Sequence, residues 1–440
     1  MNNLFIILLT SGFFTWIGWP FTKLLNKITL VERLGLSFLL GIGLGTYGWF
    51  ILYRLGLPFT LSSLLLTGLL LLFLGNVLGR FYPRSIHLTI SSPRPLDKLL
   101  IILIGLGLLS AFVIGSYNAI TAWDSMALYD FRAHAILLNH DLRDIVDSSY
   151  YLSYPLLVSL LHASVYFFGG TNPQGLHSLM FAAFLAVVFG RVYSWTNLRL
   201  ALLAVFLNLF SYELLMHSTI AYANLPYTIY LVLGFIFAVS GSGKFTHHLL
   251  FAGLLIGLST WVRSTEIFWL IGILVIAYQG LVNRKIFLPL LSILLLLSLR
   301  YGWSGYYTKL ISVLPEQPQT YGRLLSLETF TAIYHNLPKI YEYIMRYVIS
   351  PFLGIWTLAV GMGIQSFRLK LRPVRILTFI IFASLAATIA GISVYSTFFA
   401  TWYQIGDSAR RMLMFLIPLT LIGAVLALSR FSEGNHDQTR

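Results

Sequence analysis

Long apolar runs decide what this chain can fold into. A helix needs about 20 mostly apolar residues to cross the hydrocarbon core of a bilayer. Such stretches recur at 4–20, 34–53, 60–79, 99–116, 177–196, 200–216, 226–240, 248–263, 267–282, 286–302, 347–366, 376–394 and 410–429. Only 10% of the 440 residues are charged, against roughly 25% in a soluble domain. The expectation is an all-α polytopic membrane protein with about 13 transmembrane helices. No cysteine is present, which excludes disulfides, thiolate nucleophiles and thiolate metal sites. The N-terminus, MNNLFIILLTSGFF, has neither a basic leader nor a small-residue cleavage site, and reads as a retained first span.

One further apolar segment, 152–168, controls the topology. If it lies along the membrane without crossing, 18 basic residues fall on one face with only four acids, Glu32, Asp97, Glu433 and Asp437. The other face then holds 11 basic and 11 acidic residues, so the whole net charge of +14 sits on one side. That is the asymmetry expected of a cytoplasmic face, so the charge marks membrane orientation and no nucleic-acid partner is expected. The N-terminus is then outside and the C-terminus inside. Three outer loops result: 117–176, 303–346 and 395–409. The first is expected to carry two interfacial helices, 125–139 and 154–168.

Two lookalike motifs carry no chemistry. GLGTYG at 43–48 lies inside an apolar span with no strand before it, so it is not a dinucleotide fingerprint. Gly41 and Gly45 more naturally let a neighbouring helix approach. SGSGK at 240–244 has Ala238 and Phe245 where a phosphate loop needs Gly and Ser or Thr.

Polar residues gather instead at the outer ends of the spans. Trp123-Asp124 opens the first outer loop, with Asp130, Arg132 and His134 close behind. Tyr154-Pro155 opens the second surface helix. Tyr222 and Asn224 lie in a tight bend, Arg263 and Glu266 at a junction of two spans, and Asp407, Arg410 and Arg411 at the start of the last. Asp124 has two readings: an N-cap for a helix beginning at Ser125, or a general base. Arg263 with Glu266 reads as an ion pair or a functional pair, since charge at membrane depth needs one reason or the other. A carboxylate with nearby arginines and aromatics suits transfer from an anionic, membrane-embedded donor: the carboxylate takes a proton, the arginines hold a phosphate, and the aromatics face a sugar ring. No His, Asp or Glu grouping has metal-site spacing. No resident cofactor is read, and a divalent cation beside a phosphate is left open.

In these motifs the chain resembles the integral-membrane C-type (GT-C) glycosyltransferases, in particular the bacterial mannosyltransferase-like and RgtA/B/C/D-like group. The matching elements are Trp123-Asp124, Tyr154-Pro155, Ala221-Tyr222-Ala223-Asn224-Leu225-Pro226, Trp261 to Glu266 and Arg410 to Pro418. Asn224 stands where the family usually has Asp, and Ser153 where relatives often have an acid. The resemblance covers 99–429. It leaves 1–98 as three additional N-terminal transmembrane helices and 430–440 as a cytoplasmic tail.

It implies an inverting glycosyltransferase in a bacterial plasma membrane, with its active site facing outside. The donor would be a polyprenyl-phosphate sugar and the acceptor a glycan, lipid or protein. Asp124 would be the base. Arg263, Arg410, Arg411 and Arg132 would bind the donor phosphate. Trp123, Tyr154, Tyr222, Asn224, Glu266 and Asp407 would line the substrate site. The alternatives are an outer-face glycan polymerase or ligase, and a transporter or flippase for a lipid-linked sugar.

Overall fold

The computed structural model describes residues 3–25, 28–80, 90–142, 154–241, 247–264, 266–311, 326–368, 371–398, 402–404 and 406–437. All regular structure among them is helical. Helices α1 (Asn3–Gly18, prolonged by a 3-10 turn to Leu24), α2 (Leu30–Arg54), α3 (Leu61–Arg80) and α4 (Pro95–Tyr117) come first. A π-helical turn, Ser125–Asp130, leads into α5 (Phe131–Asn139), and α6 (Leu157–Phe167) follows. Next come α7 (Gly175–Trp195), α8 (Leu198–Leu209) and α9 (Tyr212–Ser218), the last bent by 70° against α8. Then follow α10 (Asn224–Ser240), α11 (His248–Val262), α12 (Phe268–Val282) and α13 (Phe287–Ile311). Helix α14 (Leu327–Ile344) runs through short π and 3-10 turns into α15 (Leu353–Arg368). The chain ends in α16 (Arg372–Phe398), the short α17 (Gly406–Met412) and α18 (Leu416–Asp437).

Local chemistry starts these helices where the chain turns. Thr29 accepts a hydrogen bond from the Glu32 amide and caps α2, and Asn197 does the same for Leu200 at α8. At α4, Asp97 accepts from the Arg94 amide and Pro95 occupies the first turn.

Eight of these segments are long and apolar enough to cross a membrane: α1 with its extension, α2, α3, α4, α7, α13, Leu327–Arg368 and α16. The bent pair α8–α9 makes nine if counted as one span. The protein is therefore an all-α integral membrane protein. Four of the thirteen expected spans correspond to shorter helices, α10, α11, α12 and the apolar part of α18, Leu416–Ser429. A 15-residue helix is about 22 Å long, short of the roughly 30 Å hydrocarbon core. Helix α10 has all 17 residues buried, so other helices, not lipid, surround it.

Hydrogen bonds between helix ends sort those ends into two sets. One set joins Lys23 to Asn76, Ser91 to Tyr193, Arg199 to Asp97, Asn283 to Gly241 and Arg372 to Gln279. The other joins Asn3 to Asn172, Tyr53 to Asp141, Phe59 to His140, Asn336 to Ser396 and Arg411 to Asp124. The bundle thus has a basic end and a mixed-charge end.

Three expectations change. Helix α6 presents no polar edge to solvent, because residues 157–166 are all buried against α1, α2, α5 and the π-helical turn. At 11 residues it is also too short to cross. The expected loop 303–346 is helical on both sides of 312–325, which lie outside the described residues. Ser326 caps α14, and Thr329, Ile333, Ile340 and Tyr343 give it an inward stripe at helical spacing. The expected loop 395–409 likewise begins inside α16 and ends inside α17.

The first three helices are packed into the common core and do not sit beside it. Glu32 of α2 and Arg191 of α7 form a buried ion pair. The Tyr230 hydroxyl donates to the Leu39 carbonyl (2.7 Å), and the Trp261 indole to Thr46 (3.1 Å). Gly41 allows the close approach expected of it: a Cβ there would run into the Phe14 carbonyl of α1.

Candidate functional site

A polar cavity lies at the mixed-charge end, lined by Asp124, Leu128, Tyr129, Tyr154, Tyr222, Ala223, Asn224, Arg263, Ser408 and Arg411. The lining comes from five places in the chain. The π-helical turn supplies Leu128 and Tyr129, with Asp124 just before it, and such turns occur often at functional sites. Asn224 begins α10, Arg263 lies just beyond the end of α11, and Ser408 and Arg411 ride on α17.

Asp124 makes no capping hydrogen bond to the turn that follows it. Its Oδ2 instead accepts from Arg411 Nη1 at 2.8 Å. The Arg411 guanidinium also lies 5.6 Å from the centre of the Tyr222 ring. Across the cavity, Arg263 donates to Asn224 Oδ1 and pairs with Glu266. Glu266 itself is buried and does not line the cavity. Tyr154 stands 5.8 Å from the Arg263 guanidinium and packs edge-on against Tyr129. Burial pushes the Tyr129 phenol well above its usual range, so it is a neutral hydrogen-bonding group at physiological pH. The volume is only about 40 Å³, room for about two or three waters and too small for a sugar ring. The ion pair and the aromatic walls close it.

Of the expected site residues, Asp124, Tyr154, Tyr222, Asn224, Arg263 and Arg411 meet in this cavity; Arg132, Arg410 and Trp123 do not line it. Arg132 is fully buried and donates to the carbonyls of Tyr154 (2.7 Å) and Pro155 (3.3 Å). It fixes the chain that carries Tyr154, and its guanidinium lies 5.7 Å from the centre of the Tyr129 ring. Arg410 pairs with Glu213 of α9. Trp123 is largely exposed. Asp407 is on α17, and its side chain lies outside what the structure describes. Among the described residues, no three His, Asp or Glu side chains are placed to hold a metal.

Two features escape the sequence. The first is an apolar groove of about 450 Å³ between α4 and α9, lined by Leu106, Gly107, Ala111, Phe210, Leu215 and Thr219 among others. The bend at Phe210–Ser211 opens it, and Thr219 is three residues from Tyr222 in the polar cavity. The second is a buried chain of hydrogen bonds behind the π-helical turn. Asp130 accepts from the Tyr166 hydroxyl and pairs with His162 Nδ1 at 3.3 Å, and His162 Nε2 meets His177 Nε2 at 3.2 Å. With Asp130 ionised, His162 donates from Nδ1 and a neutral His162 then accepts from His177. Burial alone would raise the Asp130 carboxyl; the bonds from His162 and Tyr166, with His134 nearby, outweigh it and hold it below the usual range. Nothing in the spacing of residues 130, 162, 166 and 177 announces the cluster.

The fold and site together define an all-helical membrane protein with an acid, two arginines and tyrosines enclosed where its helix ends meet. No family model, curated protein or solved structure matches the chain.

Proposed function

We propose that the chain is a membrane glycosyltransferase that moves a sugar from a polyprenyl-phosphate donor to an acceptor hydroxyl at the outer face. The observation that carries this reading is the meeting of six residues from separate motifs in one polar cavity; the apolar groove ends at Thr219, three residues before Tyr222. The groove suits the lipid tail and the cavity the phosphate and sugar. In this reading α8–α9, α10, α11, α12 and α18 also span, giving thirteen passes with the cavity facing outside.

Asp124 takes the proton of the acceptor hydroxyl as that oxygen attacks the anomeric carbon. The bond from that carbon to the phosphate oxygen breaks, the lipid phosphate leaves with the electron pair, and the configuration inverts. Arg411 and Arg263 stabilise the charge developing on the phosphate, and Tyr154 and Tyr222 face the sugar ring. A polymerase or ligase using a lipid diphosphate would call on the same groups.

One observation favours a second reading. A broken helix such as α8–α9, which bends by 70° after the 12 residues of α8, is a feature of transporters. Purified protein in proteoliposomes separates the two. Transfer of labelled sugar from a polyprenyl phosphate to acceptor supports the enzyme. Movement of intact lipid-linked sugar between leaflets with no transfer supports the transporter.

A further inference from the structure

We propose that Arg411 is a latch on Asp124, released when the phosphate of the lipid donor draws the guanidinium away. The inference rests on the donor class proposed above. Arg411 Nη1 occupies Asp124 Oδ2 at 2.8 Å, the position from which the carboxylate would take an acceptor proton. The cavity around that pair has room for a few waters and not for a sugar ring, so ligand entry requires the pair to part.

The other cations nearby are already committed. Arg263 is shared between Glu266 and Asn224, Arg410 is paired with Glu213, and Arg132 is held by two carbonyls. Releasing Arg263 would leave the buried Glu266 without its partner, and a buried unpaired charge is costly. Releasing Arg411 leaves Asp124 at the cavity wall, where about a third of its side chain remains accessible. Of the two arginines that line the cavity, Arg411 is the one whose departure leaves the less buried acid behind.

A phosphate presents several strong acceptor oxygens in a geometry that suits a guanidinium. Once it takes Arg411, Asp124 is left with a free oxygen beside the bound sugar. Donor binding then arms the base, and an acceptor arriving first meets a carboxylate whose Oδ2 is occupied and whose charge is neutralised by Arg411. Tyr222, 5.6 Å from the guanidinium, is the surface over which the side chain swings.

The exchange makes an unusual prediction of sign: removing the carboxylate should tighten donor binding, because the phosphate no longer competes for Arg411. The full chain in nanodiscs is titrated with undecaprenyl phosphate, and bound lipid is read by native mass spectrometry. Asp124→Asn should bind about fivefold tighter than wild type, the equivalent of one partly exposed ion pair. Asp124→Ala should shift the same way and serves if the Asn variant does not fold. Simple relief of charge repulsion would also tighten binding, so the deciding variant is the double one. The gain should vanish in an Arg411→Ala background.

Equal or weaker binding by the Asp124 variants overturns the latch, and so does a gain that survives without Arg411. If wild type does not bind the lipid at all, the donor class falls and the latch with it.

Discussion

Asp124 carries the sharpest consequence at the scale of single residues. Its carboxylate caps nothing, so replacing it by Asn removes no helix-starting bond. Asp124→Asn should fold, retain donor and lose about 10²- to 10⁴-fold in single-turnover sugar transfer, the usual contribution of a general base. Near-wild-type turnover in a folded Asn variant would remove the mechanism. Arg410 and Arg263, each paired with an acid other than Asp124, should behave differently from each other. Arg410 does not line the cavity and its pair with Glu213 is partly exposed, so Arg410→Ala should cost at most about 1 kcal/mol of stability and leave donor affinity within about twofold. Arg263→Ala strands the buried Glu266 and should cost about 3–5 kcal/mol. Thermal melting in one detergent compares them; equal losses would contradict the assigned partners.

The element that matters most is the π-helical turn Ser125–Asp130. It holds Asp124 at one end, and Asp130 anchors the other to Tyr166 and His162. A carboxyl whose pKa is lowered by folding contributes stability that is complete above its unfolded value of about 4, and loses it as the pH falls through the folded value. Asp130→Asn should therefore destabilise the protein at pH 7 and make its melting less dependent on pH below about 4. Hydrogen exchange over 124–135 should rise as the anchor loosens. A variant with unchanged exchange and an unchanged melting profile would show that the cluster does not hold the turn.

At the scale of the whole molecule, the division into two sets of helix ends predicts sidedness. Thr171 is exposed at the mixed-charge end, and Ser92 at the basic end. The chain has no cysteine of its own, so single replacements are clean probes. In intact cells Thr171→Cys should react with an impermeant maleimide, and Ser92→Cys only after permeabilisation. The reverse pattern would turn the bundle over and place the cavity in the cytoplasm. Both residues reacting from the same side would break the alternation of passes between them.

The sequence by itself determined that this chain is helical and built for a bilayer. It also marked the end where its unusual polar residues collect, because apolar length and charge position are properties of contiguous residues. It singled out Asp124, Tyr154, Tyr222, Asn224, Arg263 and Arg411, each of which lines the cavity. Pairing was decided only by the tertiary structure. Arg410 and Arg411 are neighbours in sequence, yet about 100° of helical rotation separates them; one meets Glu213 on α9 and the other Asp124 across the cavity. The burial of α6, the Asp130–His162–His177 chain and the joining of α2 to α7 through Glu32 and Arg191 are likewise contacts between segments far apart in sequence. Hydropathy is read along the chain, whereas an ion pair depends on distance through space. Asp124 and Arg411 come within 2.8 Å only after the helices between them have packed.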